Sequence, residues 1–259
     1  MMNFSKSIKG VLLDLDGVFY TSGKIIPGAI GTLKFLRKKN IPFRFLTNTT
    51  TVNKRTLREK LVNIGLGCDE FEIISAGHVA IDYLRKMGSP SCKFFITENL
   101  KKDYSEFKED KKKPTVIVIG DYQNWTFEQL NEAFCNVMDG AEILALQMGR
   151  YYSIGTGLRL DAGGFVKALE YATGKKAKIV GKPNKAFFNC ALEDLRLMHE
   201  EVAMVGDDII TDIKGAQDIG IIGVLVKTGK YHESILQTSD IMPDMFLDSI
   251  GDLPNLFIS

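Results

Sequence analysis

The apolar run Gly10-Val11-Leu12-Leu13 stops abruptly at Asp14-Leu15-Asp16-Gly17, the pattern of a strand buried on both faces that ends in an acidic turn. A strand with no polar face must be covered by helices on both sides, so the run points to a parallel sheet in an α/β fold. The next residues keep that alternation. A helical pattern over 28–39 leads to Phe43-Arg44-Phe45-Leu46, which runs into Thr47-Asn48-Thr49-Thr50-Thr51; a second, over 54–64, leads to Phe71-Glu72-Ile73-Ile74. Further on, Gly181-Lys182-Pro183-Asn184 precedes an amphipathic helix through Phe187, Phe188, Ala191, Leu192 and Leu195. The strand Val202-Ala203-Met204-Val205 then ends in Gly206-Asp207-Asp208, followed by Thr211-Asp212, a helix and the apolar run 221–226. The expected fold is a Rossmann-like doubly wound parallel sheet with right-handed crossovers.

Residues 77–179 interrupt this core and carry a smaller α/β pattern of their own, with strands expected over 93–97, 115–119 and 142–146 and helices over 80–87, 127–138 and 164–173. The core is thus expected from 1–76 and 180–259 and an inserted cap from 77–179, with Lys178-Ile179-Val180 marking the return to the core. The Lys-rich stretch 108–114 reads as a solvated loop, since Lys111, Lys112 and Lys113 repel one another and stay hydrated. Trp125 precedes a helical apolar pattern and is expected to pack. Cys68, Cys92, Cys135 and Cys190 show neither C-x-x-C spacing nor a nearby His and are read as reduced core thiols.

With 33 Lys+Arg against 32 Asp+Glu in 259 residues, the chain has no global field to hold a nucleic acid or an anionic membrane. No apolar run approaches the ~20 residues of a membrane span, and Met1–Lys6 lacks the apolar stretch of a secretory signal. A cytoplasmic protein with a small-molecule partner is the expectation.

In an open parallel sheet, ligands bind beyond the carboxyl ends of the strands, where Asp14, Thr47, Lys182 and Asp207 all fall. Each alone is weak evidence, since D-x-D-G and Gly-Asp-Asp are common turns and a Lys before Pro usually lies at the surface; their order and shared address are the signal. Asp14, Asp207 and Asp208 crowded at one edge would repel one another unless a cation were present. Two carboxylates, a backbone carbonyl and a phosphate oxygen suit Mg²⁺, whereas Zn²⁺ is disfavoured without His or Cys. Lys182, with donors from Thr47 and Asn48, would then grip a phosphoryl group. Asp is also a favoured helix N-cap, and for Asp212 that reading stays open beside a role in the site.

These stretches, Asp14-Leu15-Asp16-Gly17-Val18, Leu46-Thr47-Asn48, Gly181-Lys182-Pro183 and Gly206-Asp207-Asp208 with Thr211-Asp212, resemble the four ordered motifs of the haloacid dehalogenase-like phosphohydrolases. The insert between the Thr and Lys motifs is similar to the α/β cap of the NagD-like subgroup. The resemblance implies an enzyme in which Asp14 is the nucleophile that forms an aspartyl phosphate and Asp16 is the general acid and then base. It implies Mg²⁺ on Asp14, the backbone carbonyl of Asp16, and Asp207; phosphoryl binding by Thr47, Asn48 and Lys182; and auxiliary places for Asp208 and Asp212. The implied substrate is a small phosphorylated metabolite or phosphoamino compound, and the implied assembly is a homodimer through the cap. Dehalogenation, which needs no metal, fits poorly with Asp16 and the acidic loop at Asp207. A P-type-ATPase-like phosphotransferase has Thr where Asp16 stands. The remaining alternative is a phosphate-responsive binding or scaffold protein that retains the site with little turnover.

Overall fold

All five residues of the strand Gly10–Asp14 (β1) are buried, as its unbroken apolar run requires. The computed structural model describes residues 8–153 and 157–258, so Met1–Lys6 lies outside the described residues. The chain divides into two compact units, one of Met1–Thr47, Arg58–Ile74 and Lys182–Ser259, the other of Asn48–Leu57 and Ser75–Gly181.

In the first unit a hairpin, Tyr20–Thr21 (β2) and Lys24–Ile25 (β3), follows β1. The six-stranded sheet also contains Phe43–Thr47 (β4), Ile73–Ser75 (β5), Val202–Gly206 (β12), Ile222–Val226 (β13) and Met245–Leu247 (β14), in the spatial order β14-β13-β12-β1-β4-β5. β1 pairs in parallel with both β4 and β12, with Asp14 opposite Leu46 and Leu13 opposite Val205. That register ends three neighbouring strands at nearly one level, which is what gathers distant polar residues at a single edge.

The second unit builds its own sheet from Cys92–Phe95 (β6), Val116–Ile119 (β7), Glu142–Ala145 (β8) and Lys178–Ile179 (β11), all pairings parallel, in the order β11-β8-β7-β6. Phe95, Ile117, Ile143, Val137, Val166 and Leu169 fill its core. Trp125 packs as expected, stacked between Phe95 and Phe165 with ring centroids 4.8 Å and 5.0 Å away. Lys111–Lys113 are exposed, their loop held by the Asp110 carboxylate, which accepts from the N–H groups of Lys112 and Lys113.

Four details differ from the sequence reading. Lys178-Ile179 does not rejoin the core sheet but pairs with β8, Lys178 opposite Leu144 and Ile179 opposite Ala145. The Phe71 strand starts only at Ile73, because Glu70–Glu72 forms a 3₁₀ turn in which Asp69 N–H donates to the Glu72 carboxylate and Phe71 turns outward. A short antiparallel ribbon, Tyr151–Ser153 (β9) with Leu158–Leu160 (β10), was not anticipated; three residues per strand are too few for a periodic signal. Finally, Cys68 and Cys92 are buried free thiols, but Cys135 is exposed. No helix among the described residues is long and apolar enough to cross a membrane.

Candidate active site

β1 delivers Asp14, β4 delivers Thr47 and β12 delivers Asp207, each buried at the strand's carboxyl end. Lys182, from the loop before the helix Lys185–Leu195, is only 3% exposed. Its Nζ lies 2.7 Å from Asp14 Oδ1 and 2.7 Å from Asp212 Oδ1. Burial disfavours the ammonium, but the two carboxylates outweigh it and hold the Lys182 pKa above its usual value. Asp212 is fully buried, carried inward by the wide π-type turn Ile209–Lys214.

Oxygens of Asp14, Asp207 and Asp212 lie within 4.8 Å of one another. Desolvation first, then the charges of Asp14 and Asp212, push the Asp207 carboxyl up to about 8. Desolvation likewise pushes Asp212 up to about 7, against the pull of Lys182. Asp207 Oδ2 accepts from the Lys230 N–H at 2.7 Å, while the buried Oδ1 has no hydrogen-bond partner among the described residues. A buried carboxylate oxygen left unsatisfied among like charges, with only oxygen donors around it, fits a hard divalent cation.

Asp208 and Asp212, two carboxylates that sequence left together, divide here. Asp208 Oδ1 accepts from the N–H groups of Ile210 and Thr211 and so caps the turn, whereas Asp212 joins the cluster. Desolvation pushes the Asp208 carboxyl up, but those N–H donors and Lys230 more than reverse it and hold it below its usual range. Asp16 stands at the rim, outside the group of three, with its surface open. The protein crowded around it, and then the charge of Asp14, raise its carboxyl above the usual range against Lys230 and the Gly17 N–H. Asn48 is the first residue of the second unit, where its Oδ1 lies 2.7 Å from where a Cβ on Gly181 would stand.

Sequence reasoning gave no role to Thr228-Gly229-Lys230, although the segment follows the end of β13 and obeys the same strand-end rule. Thr228 Oγ1 donates to the Gly17 carbonyl at 2.6 Å. Gly17 (φ +82) and Gly229 (φ +61) flank the Asp207 carboxylate, and a Cβ on either would fall 1.9 Å or 2.0 Å from Asp207 Oδ2. Gly229→Ala therefore forces a left-handed backbone on alanine and displaces Asp207, and is expected to weaken the binding of a divalent cation by roughly tenfold or more in calorimetric titration. Gly23→Ala, at φ +75 with nothing within 4 Å of the added carbon, carries the backbone cost alone and should leave divalent-cation affinity at the parent's level. Equal affinity of the Gly229→Ala protein would contradict the clamp.

A family model described as haloacid dehalogenase-like hydrolase matches residues 11–120, and one described as HAD-hydrolase-like matches residues 179–253. Haloacid dehalogenase-like hydrolase domain-containing protein 2 of Rattus norvegicus is 40% identical over 225 residues, 86% of each chain. Phospholysine phosphohistidine inorganic pyrophosphate phosphatase of Danio rerio is 35% identical over 258 residues, 96% of this chain and 94% of that one. The structure of 4-nitrophenylphosphatase from Thermotoga maritima matches with a TM-score of 0.93 at 28% identity, covering 100% of both chains. Fold, acid cluster and relatives together define a phosphatase. The chain belongs to the haloacid dehalogenase-like hydrolase family, and its likeness to NagD structures sets it among the NagD-like members.

Proposed function

We propose that the protein is a Mg²⁺-dependent phosphatase that hydrolyses a small phosphorylated metabolite or phosphoamino compound through an aspartyl phosphate on Asp14. The observation that carries this reading is the group of three buried carboxylates, Asp14, Asp207 and Asp212, with Lys182 bridging two of them. Asp14, the Asp16 carbonyl and Asp207 would hold the ion, with Asp212 beside them. When bound, Mg²⁺ offsets the carboxylate charge and polarises the phosphoryl oxygens.

The chain's own groups do the rest. A carboxylate oxygen of Asp14 attacks phosphorus as the bond to the leaving oxygen breaks, and Asp16 gives that oxygen its proton. Asp16 then takes a proton from water, the water oxygen attacks phosphorus, and the Asp14 carboxylate departs as inorganic phosphate forms. Lys182, held by Asp14 and Asp212, keeps the nucleophile oriented and presents positive charge to the phosphoryl oxygens, with Thr47 at the neighbouring strand end and Asn48 assisting. The raised carboxyl of Asp16 suits a group that must carry a proton at the start of the cycle. The second unit would act as the cap that selects the substrate. The exposed side chains of Tyr151, Leu158 and Leu160 on its ribbon support the further reading that two copies pair through it as a homodimer. Balanced charge and four free thiols suit a cytoplasmic enzyme.

The metal assignment has a pH signature. Asp207 and Asp212 titrate higher when folded than an unfolded Asp does, so their contribution to stability is present at low pH, declines as pH rises above the ordinary Asp range, and is gone above about 7 and 8. Mg²⁺ displaces those protons and relieves that loss. The rise in melting temperature on adding Mg²⁺ is therefore expected to be larger at about pH 8 than at about pH 6, and turnover of an aryl phosphate should vanish with EDTA and return with Mg²⁺. A pH-independent shift, or full activity after EDTA and dialysis, contradicts the assignment.

A further inference from the structure

The loop after β13 carries a cation to which the steps above assign no task. Lys230 makes two contacts here: its backbone N–H donates to Asp207 Oδ2, within the acid cluster, at 2.7 Å, and its ammonium lies 3.2 Å from Oδ2 of Asp208, the carboxylate that caps the neighbouring turn. The loop itself is pinned at Thr228, which donates to the Gly17 carbonyl, and at Gly229, which abuts Asp207. Lys182 is locked between two carboxylates in the interior, but the Lys230 side chain is 72% exposed. It is a hydrated point charge on a flexible stem, and its field reaches Asp16, Asp207, Asp208 and Asp212.

A positive charge held beside a divalent-cation site opposes the ion that the carboxylates attract. We propose that Lys230 is a positioning residue for the metal: its N–H aims the Asp207 carboxylate, and its exposed ammonium, resting on Asp208, keeps the cluster's affinity for a divalent cation below what the carboxylates alone would set. This rests on the metal-dependent reading above. The aiming belongs to the backbone and survives any side-chain replacement except proline, so the two tasks separate by mutation. Solvent screening limits the effect of an exposed charge to a modest factor, so the site is loosened rather than abolished.

The test is calorimetric titration of the full chain with MgCl₂ at about pH 9, above the values of about 8 and about 7 to which Asp207 and Asp212 are pushed, comparing the parent with Lys230→Met and Lys230→Arg. Lys230→Met keeps the apolar stem and removes the charge. It is expected to bind Mg²⁺ roughly three- to tenfold more tightly, with the gain shrinking as ionic strength is raised from about 0.05 M to about 0.5 M. Lys230→Arg should stay within about twofold of the parent, because the charge is kept. Equal or weaker Mg²⁺ binding by Lys230→Met overturns the inference, as does a gain that high salt leaves unchanged or an Arg variant that follows the Met variant. A parent protein with no saturable Mg²⁺ binding overturns the metal reading itself, an outcome distinct from a parent that binds Mg²⁺ and variants that do not differ from it.

Discussion

Replacing Asp14 with Asn is expected to lower turnover of any phosphate ester by roughly 10⁴-fold or more while leaving the fold intact. An amide oxygen can still accept from the Lys182 ammonium 2.7 Å away, and Lys182 keeps Asp212 as a charged partner, so the buried network survives the change. The anionic oxygen proposed as the nucleophile does not. On the proposed mechanism Asp16→Asn acts at another point: the nucleophile stays, but the group that gives and then takes the proton is gone, and the expected loss is roughly 10²–10⁴-fold, as for a positioned acid–base residue. The second loss should depend on the leaving group, being smaller for an activated aryl phosphate, which needs little protonation, than for an alkyl phosphate. Steady-state rates of both variants on the two substrate types give the comparison, and a leaving-group-independent loss in Asp16→Asn would remove the acid role.

Lys182→Met should produce the largest change in stability. The ammonium is 3% exposed and sits within 2.7 Å of two carboxylates, one of them fully buried, so its removal leaves uncompensated charge in the interior. Breaking a buried pair in this way costs about 3–5 kcal/mol. The sign of the pH dependence follows from Asp212, whose carboxyl is raised by burial and held down by Lys182. Without the lysine it rises further, and a group raised on folding supports the folded state at low pH and ceases to do so as pH increases. Urea unfolding of metal-free protein should therefore show the variant's deficit to be smallest at mildly acid pH and to widen toward neutrality. A variant as stable as the parent at neutral pH would show that Lys182 is not the counter-charge of this cluster.

Much of this site was legible because apolar runs that stop abruptly mark strand ends, and the ends of a parallel sheet share one edge. Asp14, Thr47 and Asp207 needed nothing more than that rule, and Lys182 only its place in a loop between sheet and helix. The division between Asp208 and Asp212 was not legible. Both are carboxylates in one acidic turn, and which faces inward is set by the wide turn Ile209–Lys214, a backbone geometry with no residue pattern of its own. Lys230 escaped for a related reason: its contact with Asp207 is made by a backbone N–H, which any residue but proline offers. The strand Lys178–Ile179 was ambiguous because two apolar-flanked residues fit either sheet, and only pairing with β8 decides between them.

The covalent step proposed on Asp14 is open to one direct measurement, intact-protein mass spectrometry after a brief exposure to an activated aryl phosphate with Mg²⁺ and a rapid acid quench. In Asp16→Asn the proposed nucleophile is present and the leaving group needs no proton, so phosphorylation is expected to proceed while hydrolysis stalls for want of a base. That protein should carry one added phosphoryl mass, and Asp14→Asn should carry none under the same conditions. A phosphoryl adduct on Asp14→Asn, or none on an Asp16→Asn protein that still turns over, would contradict catalysis through Asp14.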